Sequence, residues 1–273
     1  MKRNGIVTAL GAVVVMVWAL SPIVWLVSLS FKAGDDISNQ RFFPTVWSLE
    51  NYRTVFRTSL FTSALRNSIF ISLIATVLSV IIATVAAYAI ARLDFPGKRL
   101  VLSVALAIAM FPAVSLVGPL FDIWRSVGIY DTWLGLILPY MSFTLPLSLW
   151  TLSAFFREIP WEMEEAATMD GATPWQAFRK AIVPLAAPGV FTAAILTFFF
   201  AWNDFVFGIS LTSSDAARPV PAALAFFTGA SQFQQPAAAI SAAAVVVTVP
   251  VVILVLLFQR RIVAGLTAGA VKG

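Results

Sequence analysis

R-E-I-P-W-E-M-E-E-A-A-T-M-D-G-A-T-P-W-Q-A-F-R-K, residues Arg157 to Lys180, is the most polar stretch of a 273-residue chain that is 60% hydrophobic and only 11% charged. It reads as a helix, a turn and a helix. Pro160 suits a first helical position, Glu162, Glu164 and Glu165 lie near the positive end of the helix dipole, and Gly171 suits the stop. Thr173 followed by Pro174 has the form of an N-cap and first turn for a second helix that runs into Ala181. At helical spacing Met163, Ala166, Ala167 and Asp170 share a stripe that is small in its middle, so another surface can approach the backbone there. A helix lying in the lipid interface would instead carry large apolar anchors and basic residues. The glutamate cluster favours docking on another protein.

Outward from this island the chain turns apolar, and soluble domains carry about 25% charged residues, more than twice the share here. A bilayer-spanning helix needs about 20 apolar residues. Five uncharged runs of that length are Ile6 to Phe31, Asn67 to Ala91, Leu100 to Phe121, Thr132 to Phe156 and Ala181 to Asn203. A sixth uncharged run, Pro219 to Gln259, is too long for one crossing. The polar patch Ser231, Gln232, Gln234 and Gln235 divides it and places the crossing at Pro236 to Phe258. The expected fold is therefore all-α and polytopic, one transmembrane domain over residues 1–273 with a polar loop at 157–180 and a tail at 259–273. Pro112, Pro119, Pro139, Pro146, Pro188 and Pro250 fall inside these runs, and each is expected to bend its helix.

Six crossings put both termini on one side. Eleven of the eighteen basic residues fall on that side: Lys2, Arg3, Arg92, Lys98, Arg99, Arg157, Arg179, Lys180, Arg260, Arg261 and Lys272. Positive residues in short loops favour the cytoplasm, so both termini and the 157–180 loop are expected there. The first run resembles a secretory leader in its Lys2 and Arg3 start, but it is far longer than the usual apolar region of about 7–15 residues. It is expected to remain attached.

With no cysteine and no histidine, the chain lacks the commonest metal ligands and the commonest general base, and no catalytic or metal residues are assigned. The net charge of +5 is scattered between apolar runs and forms no nucleic-acid face. No phosphate-binding loop of the form G-x-x-x-x-G-K-[ST] occurs. An ion channel or proton-coupled carrier would place ionisable residues inside the spans, and almost none are there. A membrane enzyme lacks its usual residues, while composition alone leaves a structural membrane protein open.

The residues Glu165, Ala166 and Ala167, then Gly171, then Pro184, lying between the fourth and fifth of six spans, resemble the EAA motif of ABC importer permeases. Ala181 and Val183 stand where that motif usually has Ile and Leu. The resemblance implies the type I permease fold and makes this loop a coupling helix seated on a cytoplasmic ATPase, with Glu164, Glu165, Ala166, Ala167, Asp170, Gly171 and Pro184 as its residues. The ending Gln259 to Gly273 resembles the tail of the second permease in maltose-type carbohydrate importers. It implies ATPase contact through Gln259, Gly265, Leu266, Thr267 and Gly269. Within that family the stretches Ala87 to Arg99, Met169 to Lys180 and Phe200 to Phe205 are similar to those of trehalose-importer permeases of mycobacteria, which implies trehalose, with maltose, another oligosaccharide or an amino sugar as alternatives.

The same resemblance implies a plasma-membrane subunit without catalysis of its own. Its partners would be a sister permease, two ATPase subunits that bind ATP and Mg, and an extracytoplasmic sugar-binding lipoprotein. For the sugar pathway, the outer end of the fifth span offers aromatic faces and polar groups in Phe198, Phe199, Trp202, Asn203, Asp204 and Phe205, a mixture suited to a disaccharide. An aromatic belt at the membrane surface would look similar. The segment Pro219 to Gln235 is open between a contact for the binding protein and a re-entrant segment.

Overall fold

In hydrocarbon a carbonyl freed by proline has no water to turn to, so the fold is best read from where each proline falls. The computed structural model describes residues 2–39, 41–227 and 237–268. Among these the elements are helical, with no strand. They run α1 (Lys2–Ser30), a 3-10 turn (Gly34–Ile37), α2 (Glu50–Arg57), α3 (Ser59–Arg92), α4 (Lys98–Ala109), α5 (Ala113–Val127), α6 (Trp133–Glu158) and α7 (Glu162–Met169). Then come α8 (Pro174–Ala177), a π turn (Phe178–Ile182), α9 (Val183–Leu185), α10 (Ala187–Asn203), α11 (Val206–Leu211), α12 (Val220–Ala225) and α13 (Ala237–Ala268). Four helices are long and apolar enough to cross a bilayer, or six crossings if each of two bent pairs counts as one.

The two bent pairs stand at the crossings expected at Leu100 to Phe121 and Ala181 to Asn203, where proline is expected to bend the helix. The first breaks between α4 and α5 by 91°. Pro112 disfavours helical geometry at Phe111 and stands as the N-cap of α5 in extended conformation. In the second, the segment Pro174–Leu185 meets α10 at 73°. Pro184 has no N–H for the usual bond four residues back, the backbone passes through the π turn, and the Val183 N–H reaches Phe178 O, five residues back. Pro188 then opens α10 within its first turn, where a missing N–H is tolerated.

Other prolines lie inside helices that continue without a break. Pro139 deprives the Gly135 carbonyl of its donor, and the Trp124 indole N–H supplies one at 2.7 Å. Pro22 does the same to Trp18 O, and the Ser21 hydroxyl donates to it at 3.0 Å. The last helix contains Pro250 and continues to Ala268, ten residues past the expected end of the sixth crossing. The patch at 231–235 and Pro236 lie outside the described residues.

The chain divides into two compact units, Met1–Leu65 with Ala223–Val251, and Arg66–Ala222 with Val252–Gly273. In the first, Lys32 is fully buried and organises the segment after α1. Its ammonium donates to Arg41 O at 2.6 Å and Asn39 Oδ1 at 3.2 Å and lies 5.0 Å from the Trp25 ring. Asn51 donates to Ser30 O and Lys32 O, closing α2 onto the end of α1.

The second unit is built around α6, whose two apolar clusters serve different ends. One joins Ala83, Ala87 and Ile90 of α3 to Leu152 and Phe156 and to Phe178 and Ile182 of the π turn. The other joins Ile71 and Ala75 to Leu136, Tyr140 and Phe143, with Phe207 and Leu211 of α11. Between them hydroxyl pairs cross the helices: Ser79 with Thr144 and Ser148 with Thr197, each at 3.0 Å. Small residues set the spacing. A Cβ on Gly135 would lie 2.4 Å from Ile129 O, and one on Gly189 would lie 2.4 Å from Phe155 Cγ.

At the end of this unit that holds the α5–α6 turn, Asp131 adopts a left-handed φ of 58° and accepts from Ser213 N, Ser214 N and Ser214 Oγ. Partial burial opposes its charged form, but the Ser214 and Ser213 donors outweigh burial and hold the carboxyl below its usual range. Asn67 pins the same region by donating to Asp215 O and Arg218 O while accepting from the Trp133 indole.

Gly135→Ala should lower stability by about 1–3 kcal/mol, because its new methyl meets backbone rather than a movable side chain. Gly118→Ala, with nothing within 4 Å, should stay within about 0.5 kcal/mol. Apparent melting temperatures of the detergent-solubilised protein check both. For Asp131 the folded pKa is depressed, so its stabilisation is present above the ordinary carboxylate range and is lost as pH falls through the folded value. Asp131→Asn should therefore melt below the parent at neutral pH, and the gap should close on acidification below about pH 4.

Candidate functional site

The loop after α6 forms the helix, turn and helix that its residues encode. Its first N–H groups bond back to Pro160 O and Trp161 O, and Glu162, Glu164 and Glu165 sit in the first turn of α7. The helix stops at Asp170. Gly171 takes φ 85°, its N–H bonds to Thr168 O at 2.9 Å, and Ala172 N–H bonds to Ala167 O at 3.0 Å. This paired closure uses the left-handed residue that glycine supplies at least cost. Two residues on, Thr173 Oγ1 accepts from Gln176 N while Gln176 Oε1 accepts from Thr173 N, a reciprocal cap with Pro174 in the first turn.

The acidic residues expected to act together point in different directions. Glu165 and Asp170 are exposed, as are Ala166, Met163 and Met169, the last 90% exposed. Ala167 is half-buried. Glu164 is turned inward onto α3: the Tyr88 hydroxyl donates to its Oε1, and Arg92 Nε lies 3.7 Å from its Oε2. Arg92 also donates to Ile159 O at 2.6 Å and stacks its guanidinium 4.5 Å from the Trp161 ring. Tyr88, Arg92 and Trp161 were not singled out as site residues from sequence. The signal was present, since Tyr88 and Arg92 are four residues apart and share one helix face at the end of a span.

The outer protruding face of the loop thus carries Glu165, Ala166, Met169 and Asp170, with Trp175 of α8 exposed as well. Pro184 is exposed in α9, between the π turn and the bend. Of the tail residues, Gln259, Gly265, Leu266 and Thr267 belong to α13, and Gly269 lies outside the described residues.

The group at the end of α10 divides too. Trp202 is buried and stacks on Phe198 with ring centroids 5.4 Å apart. Asp204 is not an open carboxylate: it accepts from Tyr140 Oη at 2.9 Å, Gly208 N at 2.9 Å and Phe207 N at 3.4 Å, so it caps α11 and ties it to α6. Asn203 and Phe205 remain exposed. Their sequence adjacency hid this split, because a helix ends between Asn203 and Asp204 and the next side chains leave at new angles.

Residues 79–267 match the family described as binding-protein-dependent transport system inner membrane component, and the chain belongs to that family of integral membrane permeases. Among its relatives is the trehalose transport system permease protein SugB of Mycobacterium tuberculosis, 58% identical over 256 residues that cover 94% of this chain and 93% of the relative. The trehalose/maltose transport system permease protein MalG of Thermococcus litoralis is 39% identical over 98% of this chain and 97% of its own. A chain in the crystal structure of a bacterial ABC transporter for import of the acidic polysaccharide alginate shares the fold, with TM-score 0.83 and 24% identity over 95% of this chain and 96% of that one.

Gly171→Ala places a Cβ in the left-handed region at a cost of about 1–2 kcal/mol. Amide exchange of α7 should accelerate about 5- to 30-fold, while exchange in α6 stays as in the parent.

Proposed function

We propose that this chain is a non-catalytic permease subunit of an ATP-driven ABC importer for trehalose, paired with a sister permease in the plasma membrane. The observation that carries the reading is the α6–α10 loop: a short helix closed by Gly171 whose exposed face combines Glu165, Ala166, Met169 and Asp170 while its other face is fixed to the chain. Small and flexible apolar residues beside carboxylates suit a cleft in a partner protein. That partner is a cytoplasmic ATPase, two copies of which bind ATP and Mg and close on each other. In this reading the loop and both termini are cytoplasmic, in accord with the excess of basic residues on that side.

Closure of the ATPases moves α7, and the helices linked to it exchange an inward for an outward opening. Glu165, Ala166, Ala167 and Asp170 form the docking surface, Gly171 and Pro184 shape its ends, and Glu164 anchors it. The tail residues Gln259, Gly265, Leu266, Thr267 and Gly269 are proposed to support the ATPase pair. Trehalose arrives from an extracytoplasmic binding lipoprotein. Support for this sugar is the 58% identity to a permease named for trehalose transport. At the outer end, Asn203 and Phe205 are the residues of the expected pathway group exposed to meet it, with Trp202 and Asp204 holding the wall behind them.

In proteoliposomes containing both permeases and the ATPase, trehalose-loaded binding protein should stimulate hydrolysis. Glu165→Lys should lower that stimulation by about tenfold, as expected for a misplaced charge worth 1–2 kcal/mol in a docked interface. Full stimulation in this variant would refute the docking role. Uptake of labelled trehalose should be suppressed by excess unlabelled trehalose and little by maltose; the reverse order would reassign the substrate.

A further inference from the structure

Four carboxylates stand on or at the end of α7, and only Glu164 is withdrawn from solvent, its side chain 18% exposed against 3% for Arg92. Three helical segments meet at its partners. The Tyr88 ring lies 5.9 Å from Phe156 at the end of α6 and 4.5 Å from Phe178 at the start of the outgoing π turn. Its hydroxyl donates to Glu164 of α7. One turn further along α3, Arg92 takes the Ile159 carbonyl and the Trp161 ring, both in the short connection between α6 and α7. The end of α3 therefore touches the end of α6, the connection into α7, α7 itself and the start of the π turn.

The ion pair itself is incompletely closed. Arg92 Nε and Glu164 Oε2 are buried and face each other at 3.7 Å, and among the described residues neither atom has a hydrogen-bond partner. A charge-assisted N–H···O bond forms at about 2.7–2.9 Å, so an approach of roughly 1 Å by α7 would convert this contact into a bond. A purely structural link has no need of buried charge, because well-packed apolar residues serve as well or better.

We infer that Tyr88 and Arg92 are positioning residues for coupling: through Glu164 they deliver a displacement of α7 directly to α3, a span not adjacent to the loop in sequence. The inference rests on the reading of α7 as the ATPase-docking helix. Without this link α7 can still be pushed, but the push reaches the permease only through α6 and α10.

The test is the number of labelled trehalose molecules imported per ATP hydrolysed, measured in proteoliposomes of the assembled transporter with saturating binding protein. Tyr88→Phe keeps the ring and its contacts and removes one hydroxyl; Glu164→Gln keeps shape and removes charge. Each should lower the ratio about fivefold, the factor that goes with one lost buried polar contact. A ratio unchanged in both variants overturns the link. Should Glu164→Gln fail to assemble, Tyr88→Phe decides alone. Glu165→Lys separates the two ideas: if it abolishes stimulation while Tyr88→Phe and Glu164→Gln keep the parental ratio, docking stands and the link falls. If Glu165→Lys retains full stimulation, the docking reading falls and takes the link with it.

Discussion

The constraint on which the structure depends is that a backbone amide or carbonyl inside hydrocarbon must find its partner within the protein. Fifteen prolines in this chain remove fifteen possible donors, and the fold differs according to how each loss is met. Where a side chain replaces the donor, as the Trp124 indole does at Gly135, the helix runs on and forms the centre of a unit. At Pro119, Pro146 and Pro250 the helix also runs on, whereas it divides at Pro112 and around Pro184 and Pro188.

The broken segment around Pro184 matters most for function because it is the exit of the exposed loop. A π turn and a 73° bend let the chain leave α8 along one direction and enter α10 along another. The loop is held at the corner rather than hanging from it. Phe178 and Ile182 are buried against α3 and α6, and Thr173 with Gln176 closes the start of the outgoing helix. A helix of eight residues would be marginal alone in water. Here its acidic first turn, its glycine closure and the Glu164 anchor supply what its length does not.

Much of this was legible in the residues. Uncharged runs of membrane length gave the helical class, and Gly171 and Thr173-Pro174 marked the loop's stop and second start because these types act through local geometry, while Pro160 stands two residues ahead of the first helical residue, Glu162. The inward turn of Glu164 was not legible: Glu164 and Glu165 are chemically alike and adjacent, and only the position of α3 distinguishes them. The role of Asp204 was hidden for a related reason. A carboxylate at a span's end suits a polar pathway or a helix cap equally, and the choice depends on Tyr140, 64 residues away in sequence. The donor that meets the loss at Pro139 was not legible either, since Trp124 lies on another helix.

The hydroxyl pair between α3 and α6 has a consequence for how those helices can slip. Thr144 Oγ1 donates to Tyr140 O of its own helix at 2.8 Å, so in its pairing with Ser79 it serves as acceptor. If the two helices slide past one another, Thr144 keeps its proton occupied, and Ser79 can rotate toward the carbonyl one turn back on α3. Neither side is left with an orphaned group in a medium that punishes one severely. The pair thus marks a preferred register with two hydroxyls, each of which has a carbonyl of its own helix within reach.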